Sequence, residues 1–343
     1  MEEYDLSLYK YLKKHLNICY LTGSRDETNI RCPFCGDSVK SNLSAHLYIN
    51  NLPPYKYFCQ RCETSGIFDG NLLNMLNLYD PEVADTLNKN KANYIKRLGR
   101  KYGNNFLDKF NRELDVLPND FGKFENSKLI YIENRLGISI DDEEIVKRYK
   151  IITNLEDFFD KNDFKLNRYW EENIEKLNKN YVAFLLNDNN QICFRALNKR
   201  AEHRYINKKI YHDLPTASRK FYSIRNDINM ASPIYNVYLS EGIFDILGVY
   251  NHVQNCRMNE NDIFISCNGK SYSFVLKYLK SIGILNTDIF IYSDKDVSIE
   301  KMRSFLSRDM LVKFNGAKVF YNKLGKDCGV KKNEIELTEG VSI

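Results

Sequence analysis

The feature that most restricts the fold is a regular alternation of short apolar runs and longer amphipathic segments between residues 235 and 321. The apolar runs predict strands at Tyr235–Leu239, Ile263–Cys267, Asp288–Tyr292 and Ala317–Tyr321, and the segments between them predict helices at Ile243–Tyr250, Ser271–Ile282 and Ile299–Phe314. Strands that alternate with helices in this way indicate a parallel, doubly wound sheet. In such sheets, ligands bind beyond the carboxyl ends of the strands.

Acidic residues follow two of these predicted strands. Glu241 comes directly after the first strand, and Asp245 lies one helical turn further on. Asp294 and Asp296 follow the third strand. Carboxylates that converge at one edge repel one another unless a cation lies between them. Oxygen ligands suit Mg²⁺ (or Mn²⁺), which supports phosphoryl or nucleotidyl transfer. We therefore predict that Glu241, Asp294 and Asp296 bind the metal and carry the catalysis, with Asp245 supporting them.

Two CxxC pairs near the start of the chain predict a second metal site. Cys32 and Cys35 are separated by 23 residues from Cys59 and Cys62. Four thiolates in a tetrahedral array select Zn²⁺ and form a closed, structural site. The segments 45–50 and 55–58 between the pairs predict two strands, an arrangement typical of a zinc ribbon. The alternative is four reduced cysteines in a core. We interpret His46 as a surface residue outside the ligand set.

Aromatic and basic residues are interleaved on the same predicted strands. The aromatic residues are Tyr48, Tyr55 and Tyr57, and the basic residues are Arg31, Lys40, Lys56 and Arg61. This mixture suits base stacking and phosphate contact on single-stranded nucleic acid. It is equally compatible with a small domain that uses its tyrosines as a core, so both interpretations stay open.

Positive charge is concentrated in one segment. The whole chain has a formal charge of +5. Between Arg195 and Arg225 there are nine basic and two acidic residues, a local charge of +7 that leaves −2 for the rest. Such a concentration indicates contact with a polyanion. The residues predicted to contact phosphates are Arg195, Arg200, Arg204 and Lys220.

Composition excludes wholesale disorder. The chain has 343 residues, of which 43% are hydrophobic and 28% charged, as is normal for soluble globular domains. No stretch approaches 18 consecutive apolar residues, so we expect no transmembrane helix. The acidic start lacks the apolar region of a secretory signal. We therefore expect a cytoplasmic, reducing location, in which the nine cysteines hold metal or pack in cores.

Together, these motifs resemble the DNA primases of bacteria and phages, especially the stand-alone primases of large tailed phages. Their zinc ribbon resembles the run Cys32-Pro33-Phe34-Cys35-Gly36-Asp37-Ser38 together with Cys59 and Cys62. The acidic motifs of their Toprim domain resemble Glu241-Gly242-Ile243-Phe244-Asp245 and Asp294-Lys295-Asp296. The basic motifs of the preceding subdomain are matched by Phe194-Arg195, Arg204-Tyr205-Ile206-Asn207 and Lys220-Phe221-Tyr222, and a late Lys-Asp pair by Leu324-Gly325-Lys326-Asp327. Residues 72–180 match nothing specific.

The resemblance implies an enzyme, a nucleotidyltransferase that makes short RNA primers from NTPs on single-stranded DNA for DNA replication. The zinc ribbon would help to select the template start site, and the basic subdomain would hold template and NTP phosphates. The Toprim domain would bind Mg²⁺ for attack of a 3′-hydroxyl on the incoming α-phosphate. Lys326 would contact substrate or DNA, and Asp327 would support the metal ligands. The expected partner is a separate replicative helicase, and the expected location is the host bacterial cytoplasm.

We accordingly expect an α+β multidomain chain. The predicted parts are a zinc-ribbon domain (1–72), a partly helical linker (73–115), a mixed α/β basic subdomain (116–231), a Toprim domain with a parallel sheet (232–325) and a C-terminal tail (326–343).

Two alternative functions stay open. One is another Toprim enzyme that cleaves DNA, such as a nuclease. The other is a non-catalytic, zinc-containing protein that binds single-stranded DNA. That protein would need basic and aromatic residues, but not Glu241, Asp294 and Asp296 together.

Overall fold

The structure is a computed structural model. It describes residues 6–33, 44–61, 65–102, 114–121, 127–187, 189–211, 221–224, 236–257, 262–269, 272–281, 284, 286–306, 311 and 314–343. The chain divides into two compact units, Met1–Asn111 with Tyr211–Ser218 and Arg112–Ile210 with Arg219–Ile343. Among the residues described, no helix has the length and apolar character needed to cross a membrane.

The first unit is built on a five-stranded antiparallel sheet. Its elements in chain order are α1 (Ser7–His15), β1 (Cys19–Leu21), β2 (Glu27–Ile30), β3 (Leu47–Asn50), β4 (Lys56–Cys59), β5 (Ser65–Ile67), α2 (Gly70–Met75) and α3 (Pro81–Tyr102). The strands are neighbours in the order in which they follow one another along the chain. β3 and β4 are the two strands predicted between the CxxC pairs, so that prediction is confirmed.

Alternation of side chains gives this sheet an inner and an outer face. In β4, Tyr57 and Cys59 are buried, whereas Lys56 and Phe58 are exposed. β2 and β3 show the same period of two, because successive side chains of a strand point to opposite faces. The inner face therefore carries the apolar core of the unit, and the outer face carries polar and aromatic side chains.

The second unit begins with helices and a four-stranded antiparallel sheet. The helices are α4 (Ser127–Leu136), α5 (Glu143–Arg148), α6 (Leu155–Lys161) and α7 (Arg168–Asn180), and the strands are β6 (Ile151–Ile152), β7 (Tyr181–Leu185), β8 (Gln191–Ala196) and β9 (Tyr205–Lys209). β7 and β8 form an antiparallel hairpin. Both strands are buried throughout, whereas β9 is an edge strand of this sheet in the part of the chain described.

The rest of the second unit contains the predicted parallel sheet. Its elements are β10 (Tyr222–Ser223), β11 (Asn236–Ser240), α8 (Ile243–Arg257), β12 (Ile263–Ser266), α9 (Tyr272–Ser281), β13 (Asp288–Ser293), α10 (Ile299–Phe305), β14 (Gly316–Tyr321) and β15 (Val341–Ser342). The strand order is β10-β12-β11-β13-β14-β15. The inner four strands are parallel, which confirms the prediction. β10 and β15 join antiparallel at the two edges, and both come from outside the segment 232–325.

Packing on both faces holds the parallel strands in place. On one face, the ring of Tyr238 stacks on Phe264 and Phe290, with centroids 4.5 and 5.2 Å apart. On the other face, one apolar core contains Val237, Leu239 and the buried apolar residues of α9. The close packing of these strands therefore fixes the position of the residues that directly follow them.

One predicted helix is shorter in the structure. The sequence predicts a helix to Phe314, whereas α10 ends at Phe305. Leu306 caps it with extended backbone angles, φ −120° and ψ 90°, which stop the helical hydrogen-bond pattern. Residues 307–310 and 312–313 lie outside those described.

Candidate functional site

The predicted metal-binding carboxylates lie at one edge of the parallel sheet. β11 and β13 are neighbouring strands, with Ser240 opposite Tyr292 near their carboxyl ends. Glu241 follows β11 and Asp294 follows β13, so these residues leave adjacent strands at the same edge. Strands that come first and third along this part of the chain are thus side by side in the sheet. We use the name acidic edge for the set Glu241, Asp245, Asp294, Asp296 and Asp327.

Asp245 lies in the first turn of α8 and is strongly influenced by its acidic neighbours. Its Oδ2 accepts a hydrogen bond of 2.9 Å from the Gly242 N–H. Desolvation raises the pKa of Asp245 to about 7, and the negative charges of Asp327 and Asp294 contribute after it. The structure therefore brings Asp327 within electrostatic range of Asp245, although 82 positions separate them in the sequence.

Asp294 has the same electrostatic character. Desolvation raises its pKa to about 6, and repulsion from Glu241, Asp327 and Asp296 adds to that effect. The positive charge of Lys326 acts in the opposite direction. Carboxylates crowded in this way favour any cation that reaches them, because a nearby positive charge relieves their repulsion.

Lys326 lies directly against the acidic edge. Its Nζ is 3.3 Å from Asp296 Oδ2 and 3.9 Å from Asp294 Oδ2. The side chain is 64% exposed, so charge rather than packing holds it there. The sequence predicted Lys326 as a contact to substrate or DNA, and it gave no sign that this residue would meet Asp294 and Asp296.

The acidic edge offers oxygen donors but no assembled metal site among the residues described. Within the described ranges, no three His, Cys, Asp or Glu side chains stand close enough together to hold a metal. The chemistry of the acidic edge nevertheless suits a hard divalent cation, because the donors are all carboxylate oxygens. Desolvation is the main cause of the raised pKa values of Asp245 and Asp294, and repulsion from neighbouring carboxylates adds to it. Binding of Mg²⁺ or Mn²⁺ at the acidic edge is therefore a proposal.

Close backbone packing fixes the loop that carries Lys326 and Asp327. A Cβ atom on Gly248 of α8 would lie 1.9 Å from the carbonyl oxygen of Cys328. A Cβ on Gly329 would lie 2.7 Å from Asp245 Oδ1 and 3.1 Å from Arg135 Nη2. Gly248 therefore requires glycine because its neighbour is backbone, whereas a Cβ on Gly329 would displace the side chain of Asp245.

Arg135 is a residue that sequence reasoning missed. Its Nε donates a 2.9 Å hydrogen bond to the Gly329 carbonyl oxygen, and its guanidinium lies 4.3 Å from the Phe244 ring centroid. It therefore ties α4 to the acidic edge. Its positive charge also counteracts the rise in the pKa of Asp245. Nothing in the local sequence around residue 135 signals a contact with a loop 194 positions away.

A turn after β12 wraps around the start of the acidic edge. Gly269 N–H donates to the Glu241 carbonyl oxygen at 2.9 Å, and Cys267 N–H donates to that of Ser240 at 2.8 Å. Asn268 and Gly269 both have positive φ, 49° and 119°, which suits asparagine and glycine. Asn268 Nδ2 also donates to Asn207 Oδ1 of β9 at 3.1 Å. We call β9 the basic strand because it contains Lys208 and Lys209, and this contact links it to the edge of the parallel sheet.

The four predicted phosphate-binding residues have different environments. Arg200 and Arg204 are exposed. Arg195 is only 4% exposed, and its guanidinium lies 4.3 Å from the ring centroid of Tyr205. Lys220 lies outside the described residues.

Two of the four predicted zinc ligands are described. Cys32 and Cys59 are both buried, with 1% and 0% of their surface exposed. Cys59 in β4 pairs with Leu47 in β3, and Leu47 pairs with Ile30, two residues before Cys32. The two thiols therefore belong to the same end of the same sheet. Cys35 and Cys62 lie outside the described residues, so the prediction of a Cys₄ zinc site stays a prediction.

The structure separates the predicted aromatic residues into core and surface. Tyr55 and Tyr57 are 2% and 5% exposed, so for these two the core interpretation holds. The outer face instead carries Tyr20, Tyr48 and Phe58, which we name the aromatic row. Tyr20 pairs with Asn29, Asn29 with Tyr48, and Tyr48 with Phe58 across four adjacent strands. Tyr20 and Phe58 are 42% and 46% exposed.

Comparisons with known proteins give little further guidance. No protein-family model matches the chain, and no curated protein matches its sequence. Among solved structures, the chain is similar to the Aquifex aeolicus primase, a structure of zinc-binding and RNA polymerase domains. The identity is 12%, the match covers 96% of this chain and 81% of that chain, and the TM-score is 0.32. With so low a TM-score, the function has to be argued from the residues of this chain.

Proposed function

We propose that this protein is a DNA primase that synthesises short RNA primers on single-stranded DNA. The observation that carries the proposal is the acidic edge itself, whose crowded carboxylates lie at the carboxyl ends of parallel strands. A basic strand is attached to that edge through the hydrogen bond between Asn207 and Asn268. Negative groups for a metal and positive groups for a polyanion are thus parts of one unit.

The residues of the acidic edge have distinct proposed roles. Glu241, Asp294 and Asp296 would hold Mg²⁺ or Mn²⁺, which when bound neutralises phosphate oxygens during nucleotidyl transfer. Asp245 and Asp327 would support the backbone beside these ligands, because Asp245 accepts a hydrogen bond from the N–H of Gly242, next to Glu241, and Asp327 accepts one from the N–H of Gly329. Lys326 is close enough to Asp296 to exchange that partner for a substrate phosphate.

In the proposed reaction, the 3′-hydroxyl oxygen of the growing primer forms a bond to the α-phosphorus of the incoming NTP and loses its proton to solvent. The bond from that phosphorus to the bridging oxygen breaks, and pyrophosphate leaves with its electron pair. Arg200, Arg204 and Lys220 would neutralise template or triphosphate oxygens, because arginine and lysine are the usual partners of phosphate. These side chains position the substrates and move no proton.

The first unit would hold the template. A Zn²⁺ bound by Cys32, Cys35, Cys59 and Cys62 would stabilise the antiparallel sheet, since a closed Cys₄ site is structural. The aromatic row would then stack on bases of single-stranded DNA, because every base offers a π face. We further propose a separate replicative helicase as partner and the host bacterial cytoplasm as location, from the resemblance to phage primases.

Primer synthesis tests the proposal directly. The full chain would be incubated with single-stranded DNA, labelled NTPs and Mg²⁺, and the products separated on a denaturing gel. We expect short RNA products that depend on template, metal and NTPs. Cleavage of the DNA without RNA synthesis would favour a nuclease, and binding without either reaction would favour the non-catalytic alternative.

A further inference from the structure

Tyr205 presents an exposed aromatic ring in the second unit. It is the first residue of β9 and is 47% exposed. β9 pairs with β8, where Arg195 lies directly opposite Tyr205. Exposure of a single tyrosine is ordinary, so the contacts of the Tyr205 ring decide what it can bind.

One face of this ring is covered by a buried cation. The Arg195 guanidinium lies 4.3 Å from the ring centroid. Arg195 itself is 4% exposed. In the part of the chain described, its Nε has no hydrogen-bond partner. A buried arginine in this position fixes the ring plane by a cation–π contact and leaves the rest of the ring accessible.

The other end of the Tyr205 side chain reaches the acidic edge. A Cβ atom on Gly242 would lie 4.0 Å from the Tyr205 hydroxyl, and Gly242 directly follows Glu241. The Asn207–Asn268 hydrogen bond of 3.1 Å attaches the same strand to the neighbouring turn. The Tyr205 hydroxyl therefore lies close to Gly242, and the strand that carries Tyr205 is attached to the turn after β12.

We propose that Tyr205 forms the surface on which the base of a nucleoside triphosphate stacks while its phosphates lie at the acidic edge, with Arg195 supporting the ring from the opposite face. This inference rests on the proposed function for the assignment of the phosphates. Only one sugar separates the base from the α-phosphate. An NTP whose α-phosphate lies at the acidic edge would therefore have its base close to Tyr205. Stacking accepts all four bases, as templated synthesis requires.

The test compares two ligands that differ only by the base. Binding of ATP and of ribose 5′-triphosphate to the full-length protein would be measured by calorimetry with Mg²⁺ present and DNA absent. We expect ATP to bind about 10-fold more tightly than ribose 5′-triphosphate, from the usual strength of base stacking on an aromatic side chain. Tyr205→Leu should remove this difference by weakening ATP alone, and Tyr205→Phe should keep it.

Tyr169→Leu is a matched control, because it removes an α7 ring that contacts the same strand through Lys208, 4.3 Å from its centroid. It should leave the ATP preference unchanged. Equal weakening of both ligands by Tyr205→Leu, no preference for ATP in the wild type, or an effect confined to single-stranded DNA would each overturn the assignment. A retained ATP preference without RNA synthesis would count against the polymerase proposal alone, so the two failures are distinguishable.

Discussion

The antiparallel sheet of the first unit and the parallel sheet of the second both carry proposed nucleic-acid contacts, but they position them in different ways. In the parallel sheet, the acidic residues follow buried strands whose ends converge because of the topology. In the antiparallel sheet, the aromatic row lies on an open face and depends on which side of each strand a residue occupies. The position of the acidic edge can therefore be predicted from the order of strands in the sequence, whereas the position of the aromatic row depends on strand register.

The antiparallel sheet of the first unit also differs from the parallel sheet in what would stabilise it. Its strands are three or four residues long, and small domains with little core often need a metal. The parallel sheet has an extensive apolar core of its own. We therefore expect metal removal to destabilise the first unit and overpacking to destabilise the second.

The largest expected effect is the loss of zinc. The wild type should contain about one zinc per chain, since one Cys₄ set makes one site. A Cys59→Ala, Cys62→Ala double variant should contain none, and proteolysis should then degrade the first unit while the second resists. Metal analysis together with limited proteolysis measures both. Unchanged zinc content in the double variant would contradict the ligand assignment.

Overpacking at α8 should strongly destabilise the second unit. Gly248→Ala places a Cβ 1.9 Å from a backbone carbonyl oxygen, so the Cys328 loop or the helix has to move. We expect the free energy of unfolding to fall by about 3 kcal/mol, the upper part of the usual range for overpacking. Gly316→Ala is the matched control, because a Cβ there meets nothing within 4 Å. Urea denaturation that shows equal stability for both variants would refute the close packing.

Removal of the aromatic row should weaken template binding. Phe58→Ala should lower the affinity for single-stranded DNA by about 10-fold, from the usual value of base–aromatic stacking. Adding Tyr48→Ala to that variant should lower the affinity further. Tyr79→Ala serves as a control, since Tyr79 is 57% exposed in the same unit but lies outside the five strands. Fluorescence anisotropy with a labelled oligonucleotide measures the affinities. An equal loss for Tyr79→Ala would mean that the row has no special role.

The smallest effect is expected from a single basic residue. Arg204→Ala should flatten the dependence of log K on log[salt] by about 0.7 for single-stranded DNA, the contribution of one phosphate contact. Arg168→Ala removes an exposed arginine paired with Glu172 at 2.7 Å and should leave the slope unchanged. Titrations over a range of salt concentrations decide between them. An unchanged slope for Arg204→Ala would make Arg204 an ordinary surface residue.

The sequence predicted the strand–helix alternation and the acidic positions because both depend on local pattern. It could not predict that Arg135 contacts Gly329 or that Lys326 meets Asp296, because these contacts join distant segments. It also misplaced Tyr55, which lies in the turn before β4 with φ 59° and is buried. The edge strands β10 and β15 are two residues long, too short for any periodic signal.

The acidic edge is proposed to perform the chemistry, while other residues bind the nucleic acid. Primer synthesis and single-stranded DNA binding should be measured side by side for the wild type, Asp294→Asn and Asp296→Asn. Each change keeps the side-chain shape and removes one charge, so we expect synthesis to fall by about 100-fold or more, with DNA affinity and zinc content unchanged. Primer synthesis near the wild-type rate in either variant would contradict the account.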